Sequence, residues 1–356
     1  MDRILTVIVP AYNMEQYLAY CLDSLCISQH QNDIEVLVIN DGSKDATSII
    51  AHDYERKLPQ VFKVIDKENG NYGSCVNRGL AEACGKYIKV LDADDSFETA
   101  NFERFVGFLK ETDADLVLSD FAVIDTDRRI RKIIRYKQGE KRCFYMNEVC
   151  NTEVFRNMQM HAVTYRRENL LKLGYRQTEG ISYTDQQWIF IPMIAVESVV
   201  YFNDYVYKYL VGRPGQTMDS EVRLKSISHT QCCAWDMARM YKQYKPVFEG
   251  KPVQKYLHAR IIPCVKEVYV FALSHYDDKT QQMLADFDNK LKEASEEIYD
   301  LIGSKEVSSF KGFAYIAYWR NHKRANKTVM RLLSRMYLLL LRIKRKGKMQ
   351  EEMALS

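Results

Sequence analysis

The chain has 356 residues, of which 47% are hydrophobic and 28% are charged, and its formal net charge is +4. This composition predicts a globular protein with two domains and excludes a low-complexity chain. The nine cysteines form no C-x-x-C pair, so neither a zinc site nor a disulfide framework is indicated. No apolar run is long enough to span a bilayer, and a strand predicted from Ile4 leaves no room for a signal peptide, so we expect a cytoplasmic protein.

Strands and helices alternate from the first residues. Apolar, β-branched runs predict strands over residues 4–9, 34–39, 61–65 and 87–91. Helices are predicted between them, the first capped by Asn13, the second over about 44–57 and the third opened by residues 69–73 and running to about Ala83. Continuously apolar strands separated by helices predict an α/β fold with a mostly parallel sheet flanked by helices. Ligands of such sheets bind outside the carboxyl ends of the strands.

Polar turns follow the first, second and fourth predicted strands and are expected to meet in one crevice. The segment Asp41-Gly42-Ser43 follows the second strand, where a simple turn with a helix cap is the alternative. After the fourth strand comes Asp92-Ala93-Asp94-Asp95. Gathered carboxylates are costly unless a cation neutralises them, and oxygen ligands suit Mg²⁺ or Mn²⁺, so this turn predicts a metal-held diphosphate. Asp-x-Asp also occurs at 113–115, 125–127 and 286–288, so the pattern is weak without its strand.

The ordered motifs resemble those of the family 2 glycosyltransferases. They are residues 6–13 (TVIVPAYN), 38–43 (VINDGS), 68–70 (ENG) and 91–95 (LDADD), and the resemblance extends over about residues 4–217. It implies the A-type glycosyltransferase fold and inverting, metal-dependent transfer from a nucleotide diphosphate sugar, with UDP as the expected nucleotide and Mn²⁺ or Mg²⁺ as cofactor. The absence of G-x-G-x-x-G and of a P-loop motif disfavours dinucleotide and P-loop folds.

The resemblance also assigns roles to individual residues. The nucleotide-sugar-binding residues would be Pro10, Ala11, Tyr12, Asn13, Asp41, Asn71, Tyr72, Gly73, Asn77, Asp92, Ala93 and Arg213. Asp94 would bind the metal, and Asp95 has no assigned role. The third motif departs from the usual pair of glycines, because Asn71 and Tyr72 separate Gly70 from Gly73. Arg213 lies in residues 209–217, which resemble the segment that closes over the diphosphate. The alternative for Arg213 is a surface residue in a turn.

Inverting transfer needs a carboxylate that takes the proton from the acceptor hydroxyl. Asp185, in the segment 182–188 (SYTDQQW), resembles the catalytic base of the family. The alternative is a carboxylate that merely lies at a helix N-terminus, where the helix dipole favours it. Trp188 is a candidate platform for an acceptor sugar, with core packing as the alternative. His161 is a candidate acceptor contact, with a buried structural histidine as the alternative.

Two domains and a tail are expected: a catalytic domain over 1–217, a helical domain over 218–305 with helices at 226–244, 253–276 and 280–302, and a basic tail over 306–356. Residues 307–356 hold 12 Lys or Arg and two Glu, whereas the rest of the chain is mildly acidic. Apolar residues from Leu332 to Ile343 at helical spacing predict a basic amphipathic helix that lies on the cytoplasmic face of the membrane. Packing on its own domain or assembly into a homo-oligomer is the alternative. Nucleic-acid binding is not expected, because the positive charge is confined to the tail.

Together these observations predict a hexosyl- or N-acetylhexosaminyltransferase of surface polysaccharide synthesis. Its acceptor would be a saccharide or a polyprenyl-diphosphate-linked glycan. The alternative is a non-catalytic subunit that keeps the fold and binds a nucleotide sugar or a membrane assembly complex. Retention of Asp92, Asp94 and Asp185 counts against that alternative.

Overall fold

The computed structural model describes residues 3–136, 143–213, 227–274, 277–310 and 312–322. The chain divides into two compact units: residues up to His229 together with Tyr244–His258, and Thr230–Gln243 together with the residues from Ala259 on. The domain limits at residues 217 and 305 stay a prediction. The basic tail segment 331–348 lies outside the described residues.

The first third of the chain forms four parallel strands with connecting helices. The elements are β1 (Leu5–Ala11), α1 (Leu18–Asp23), β2 (Ile34–Asn40), α2 (Thr47–Lys57), β3 (Phe62–Asp66), α3 (Asn71–Glu82) and β4 (Tyr87–Val90). The strands lie in the order β3-β2-β1-β4, and every neighbouring pair is parallel. β1, β2 and β4 are almost wholly buried because helices cover both faces of such a sheet.

The sheet continues with strands from the next hundred residues. The elements are β5 (Ser96–Phe97), α4 (Thr99–Lys110), β6 (Leu116–Ile124), β7 (Ile130–Ile134), β8 (Cys143–Tyr145), α5 (Met146–Val149), α6 (Glu153–Arg156), β9 (Val163–Arg166), α7 (Arg167–Leu173), α8 (Asp185–Trp188) and β10 (Ser198–Leu210). The order is β3-β2-β1-β4-β9-β6-β10-β5, with β7 beside β6 and β8 beside β10. β9 runs antiparallel to both β4 and β6, whereas β6 and β10 are parallel to each other. The predicted α/β fold with a mostly parallel sheet flanked by helices is confirmed.

Two local predictions in this region are wrong. Asn13 does not cap a helix, because its φ is 53° and α1 begins only at Leu18, after the N-cap Tyr17. Instead, Asn13 Oδ1 accepts a hydrogen bond from the Lys44 backbone N–H at 2.9 Å, which ties the turn after β1 to the turn after β2. The sequence also predicts an apolar helical stretch over 189–196, but only a 3-10 turn over Ile191–Ala195 forms there. It contains Pro192, which has no N–H for a helical hydrogen bond.

The later part of the chain is helical, as expected. Its elements are α9 (Ile227–Phe248), α10 (Val253–Ser274), α11 (Asp278–Ala294), α12 (Glu296–Gly303), the hairpin of β11 (Ser309–Phe310) and β12 (Phe313–Ala314), and α13 (Tyr315–Asn321). The single helix predicted over 280–302 is divided at Ser295, whose hydroxyl accepts from the Ile298 N–H and so caps α12. None of the helices in the described ranges is long and apolar enough to cross a membrane.

The second unit has a buried ion pair at its centre. Asp288 is 1% exposed, and its carboxylate accepts hydrogen bonds from Arg320 Nε at 2.8 Å and from the Tyr269 hydroxyl. Arg320 also donates to the Tyr299 carbonyl at 2.8 Å and stacks over the Tyr299 ring. The pair therefore fixes α13 against α10, α11 and α12 in this unit.

Candidate active site

A cavity of about 330 Å³ opens at the carboxyl ends of β1, β2 and β4. The turns after these strands meet there, as the strand pattern predicts for a parallel sheet. The predicted site residues that line it are Pro10, Ala11, Tyr12, Asp41, Asn71, Tyr72, Asp92, Ala93, Asp94, His161, Asp185 and Arg213. Residues separated by up to two hundred positions in the chain are thus brought to one place.

Asp41 lies at the floor of this cavity and is only 2% exposed. Its Oδ1 accepts a hydrogen bond from Lys67 Nζ at 2.6 Å and another from the Gly70 backbone N–H at 2.9 Å. The helix-cap alternative for Asp41 does not hold, because α2 begins only at Thr47. The carboxylate is therefore fixed and available as a hydrogen-bond acceptor for a ligand N–H or O–H group.

The three acidic side chains after β4 have different surroundings. Asp95 is 1% exposed, and its two oxygens accept from the Tyr207 hydroxyl at 2.6 Å and from the Leu210 N–H at 2.7 Å. Asp95 therefore ties the acidic turn to β10. Burial raises the pKa of Asp92 to about 7, and the neighbouring Asp94 carboxylate adds to that shift. Burial also raises the pKa of Asp95, with Asp94 and Asp92 as further causes. Keeping the carboxylates of this turn ionised therefore costs free energy.

The donor chemistry of this turn fits a hard divalent cation. Ligand atoms of Asp92, Asp95 and His161 lie within 4.8 Å of one another, and the His161 Nδ1 is buried with no hydrogen-bond partner among the described residues. Asp95 is the least suitable ligand, because both its oxygens already accept hydrogen bonds. Asp92 and the predicted ligand Asp94 both line the cavity. Carboxylate oxygens suit Mn²⁺ or Mg²⁺.

Arg213 lies against the acidic turn. Its Nε donates to Asp94 Oδ2 at 2.5 Å, and the two side chains are 15% and 12% exposed. The guanidinium also lies over the Tyr17 ring, 5.3 Å from its centroid. The alternative of a solvent-exposed arginine is therefore wrong. A cation capable of binding a phosphate is held at the cavity beside the predicted metal ligand.

Asp185 is the first residue of α8, and it lines the same cavity as the acidic turn. Its carboxylate is close enough to contribute to the raised pKa of Asp92, after burial and Asp94. α8 has only four residues, so a helix-capping role alone accounts poorly for a carboxylate that faces a cavity. Asp185 therefore lines the same cavity as Asp92 and Asp94.

Three further predicted residues lie behind the cavity. Trp188 is 1% exposed and packs edge-on against Tyr165 with ring centroids 5.1 Å apart, so it is a core residue and its ring face cannot serve as a platform.

A Cβ on Gly73 would lie 2.0 Å from the Thr178 carbonyl oxygen, so this glycine permits close packing. Asn77 accepts from the Gln177 N–H at 2.8 Å. Gly73 and Asn77 thus join α3 to the segment before Asp185.

His161 is 8% exposed but reaches the cavity wall. Its ring stacks on Tyr209 with centroids 4.4 Å apart. Burial lowers the pKa of His161 to about 3, and Lys89 adds to that effect, so the imidazole is neutral. Lys89 is completely buried, and its Nζ donates to the His161 carbonyl at 2.8 Å. The buried lysine thereby holds the turn that presents His161.

Several cavity residues were not assigned a role from the sequence. They are Met14, Asn69, Cys75, Met160, Ser182, Tyr183, Thr184 and Tyr209. Asn69, Tyr183 and Tyr209 lie inside motifs that resemble the family, so proximity to those motifs is a signal that could have found them. Tyr183 has a φ of 68°, which is unusual for an aromatic residue, and lies two positions before Asp185. Tyr183 lines the cavity, whereas the nearby Trp188 is buried.

The sequence also matches a known family and several glycosyltransferases. The family model described as "Glycosyl transferase family 2" matches residues 6–174. A Mycoplasma pneumoniae protein, the "MG025 homolog" glycosyltransferase, is 30% identical over 217 residues, which are 60% of this chain and 70% of that protein. The Bacillus subtilis glycosyltransferase EpsJ is 36% identical over 129 residues, which are 36% of this chain. The chain covers only 37% of EpsJ.

A solved structure shares the fold. Staphylococcus aureus TarS, residues 1–349 in complex with UDP, superimposes with a TM-score of 0.66 over 94% of this chain and 91% of that chain. The sequence identity is 19%, so this likeness concerns the fold.

Proposed function

The chain belongs to glycosyl transferase family 2, and from this membership we propose that it transfers a sugar from a nucleotide diphosphate sugar to a saccharide or lipid-linked acceptor with inversion. The observation that carries the proposal is the meeting of Asp41, Asp92, Asp94 and Asp185 around one cavity at the carboxyl ends of the strands. Each of the four carboxylates can take a different task there.

We propose that the donor nucleotide is UDP. Asp41 is held as an acceptor by Lys67 and Gly70, and the N3–H group of uracil is a donor that such a carboxylate can bind. TarS has been crystallised with UDP and with UDP-GlcNAc, which supports testing uridine nucleotides first. Pro10, Ala11 and Tyr12 would complete the nucleoside pocket.

The diphosphate would lie between Arg213 and the acidic turn. Mn²⁺ or Mg²⁺ bound by Asp94 and Asp92 would neutralise the charge that develops on the departing diphosphate. Arg213 now pairs with Asp94, and it can instead donate to a phosphate oxygen when the donor enters. Asp92 can contact the ribose or the diphosphate.

Asp185 would be the catalytic base. It lines the same cavity as the acidic turn, and it would take the proton as the acceptor oxygen attacks the anomeric carbon. Attack from the face opposite the leaving diphosphate inverts the configuration. His161 and Tyr183 would contact the acceptor, in place of the buried Trp188.

The proposed acceptor and the proposed location rest on the positive charge of the tail. Residues 307–356 carry a strong excess of positive charge, which supports binding to anionic lipids on the cytoplasmic face of the membrane. A peripheral position there suits a polyprenyl-diphosphate-linked acceptor of surface polysaccharide synthesis. The same tail could mediate self-association.

The test is a donor screen with the full chain and Mn²⁺. Release of nucleoside diphosphate is measured for UDP-, GDP- and dTDP-sugars with saccharide and polyprenyl-diphosphate-linked acceptors, and is repeated with EDTA. We expect turnover with a UDP-sugar that EDTA abolishes. Turnover only with GDP- or dTDP-sugars would refute the assignment of UDP. Nucleotide binding without turnover on any acceptor would favour the non-catalytic subunit.

A further inference from the structure

Tyr72 makes a contact that its motif does not predict. It lies in the first turn of α3 and lines the cavity. Its hydroxyl donates a hydrogen bond to Asp92 Oδ1 at 2.8 Å and lies 3.6 Å from the Met160 sulfur. In the described part of the chain, no other side chain hydrogen-bonds the Asp92 carboxylate. The orientation of that carboxylate therefore depends on Tyr72.

Hydrogen bonds and close packing hold the start of α3 in place, so Tyr72 contacts Asp92 from a fixed position. The Gly180 N–H donates to the Gly70 carbonyl at 2.8 Å, directly before the helix. About two turns further on, Asn77 exchanges two hydrogen bonds with the Gln177 backbone, at 2.8 and 2.9 Å. Between them, Gly73 lets the helix approach Thr178 more closely than any side chain would allow.

The backbone of Asp92 is held from the other side. Its N–H donates to the Tyr207 hydroxyl at 3.2 Å, and that hydroxyl in turn donates to Asp95. With the backbone fixed by Tyr207 and Oδ1 fixed by Tyr72, the second oxygen of Asp92 has a defined direction. A carboxylate that is already oriented loses less rotational freedom when it binds a ligand.

We propose that Tyr72 is a positioning residue that holds the Asp92 carboxylate in the orientation that binds the donor. The inference rests on the proposed function, because it requires a nucleotide diphosphate in this cavity. Tyr72 acts through Asp92 on the ribose or the metal-held diphosphate, and not on the acceptor. Its loss therefore affects donor binding and leaves acceptor binding unchanged.

The first test compares Tyr72→Phe with wild type in the full chain. Dissociation constants are measured by calorimetry with Mn²⁺ for UDP, GDP, CDP and dTDP. Because a hydrogen bond to a charged group is lost, we expect about tenfold weaker binding of whichever diphosphate wild type binds, with a similar rise in donor KM and an unchanged acceptor KM. Phenylalanine keeps the ring and its packing, and circular dichroism checks the fold.

Tyr54→Phe is the matched control. Tyr54 lies on α2 and does not line the cavity. The substitution removes a comparable hydrogen bond, from the Tyr54 hydroxyl to Asp23 Oδ1 at 2.6 Å. We expect its nucleotide affinity and kinetic constants to equal those of wild type. Equal diphosphate affinity of Tyr72→Phe and wild type would overturn the positioning role of Tyr72 and leave the proposed function standing. If wild type binds none of the four diphosphates, the proposed function fails as well.

A double-mutant cycle separates positioning from a purely structural role. If Tyr72 acts through Asp92, adding Tyr72→Phe to Asp92→Asn changes the dissociation constant by less than about twofold. Independent, additive losses in the double variant would show that Tyr72 does not act through Asp92 and would overturn the inference.

Discussion

Lys89 gives the fold a measurable dependence on pH. The side chain is wholly buried, and its Nζ donates to the carbonyls of His161 at 2.8 Å and Val163 at 3.3 Å and to the Thr164 hydroxyl at 3.4 Å. Burial lowers its pKa from 10.5 to about 7. A charged ammonium group is therefore disfavoured in the folded protein.

The sign and size of the effect follow from linkage. Between pH 7 and 10.5 the unfolded chain keeps the proton on Lys89 and the folded chain releases it, so unfolding takes up a proton. The free energy of unfolding then rises with pH by about 1.4 kcal/mol per unit, and below pH 7 the contribution is constant. From pH 7.5 to 9.5 this amounts to about 3 kcal/mol.

Urea denaturation of wild type and Lys89→Met at pH 7.5, 8.5 and 9.5 measures this term. We expect the stability of wild type relative to the variant to increase by about 3 kcal/mol over that range. Lys63→Met is the control, because the Lys63 side chain is 54% exposed on β3, and its stability should follow that of wild type. A constant difference between wild type and Lys89→Met would refute the reasoning.

The remaining predictions concern the site, the second unit and the tail. Asp185→Asn should lower the rate of transfer by about a hundredfold or more and leave UDP affinity unchanged, as measured by product formation and calorimetry. Asp94→Ala should abolish the dependence of UDP affinity on Mn²⁺. Asp288→Asn should lower the free energy of unfolding by about 3 kcal/mol in urea, because it leaves the Arg320 side chain, which is only 11% exposed, without its carboxylate. Deleting residues 328–356 should reduce co-sedimentation with anionic liposomes.

Each of these has an outcome that contradicts it. Normal transfer by Asp185→Asn would remove the catalytic base from the proposal, and retained Mn²⁺ dependence in Asp94→Ala would move the metal to other ligands. Asp286→Asn is the control for Asp288→Asn. The Asp286 carboxylate lies on the exposed surface of α11, where it accepts a hydrogen bond from Gln282 Nε2. An equal bound fraction with and without residues 328–356 would mean that the tail does not bind lipid.

Local patterns were sufficient to predict β1 to β4 and the turns that follow them. Periodic apolar runs and turn residues are short-range signals, and parallel strands carry their turns to one edge. β9 was not predicted, because its antiparallel place between β4 and β6 depends on pairing with distant residues. The same limit applies to Asp95, whose partners on β10 are more than a hundred positions away.

Residue type alone could not separate site from core. Trp188 and Tyr183 are both aromatic and close to Asp185, yet one is buried and the other lines the cavity. Lys89 is a charged residue within the predicted strand 87–91, and residue type gives no sign that it is buried against backbone carbonyls. Asn13 was expected to cap a helix because asparagine favours that position, and asparagine also tolerates the left-handed conformation that it adopts.

The attachment of α3 to the segment 177–180 has a consequence for engineering. An exchange of loops intended to give a new acceptor would have to leave Gln177, Thr178 and Gly180 in place. Asn77 hydrogen-bonds Gln177, Gly73 packs against Thr178, and the Gly70 carbonyl accepts from the Gly180 N–H. Breakpoints after Gly180 keep this junction intact. Chimeras that begin earlier in the chain would need α3 from the same parent.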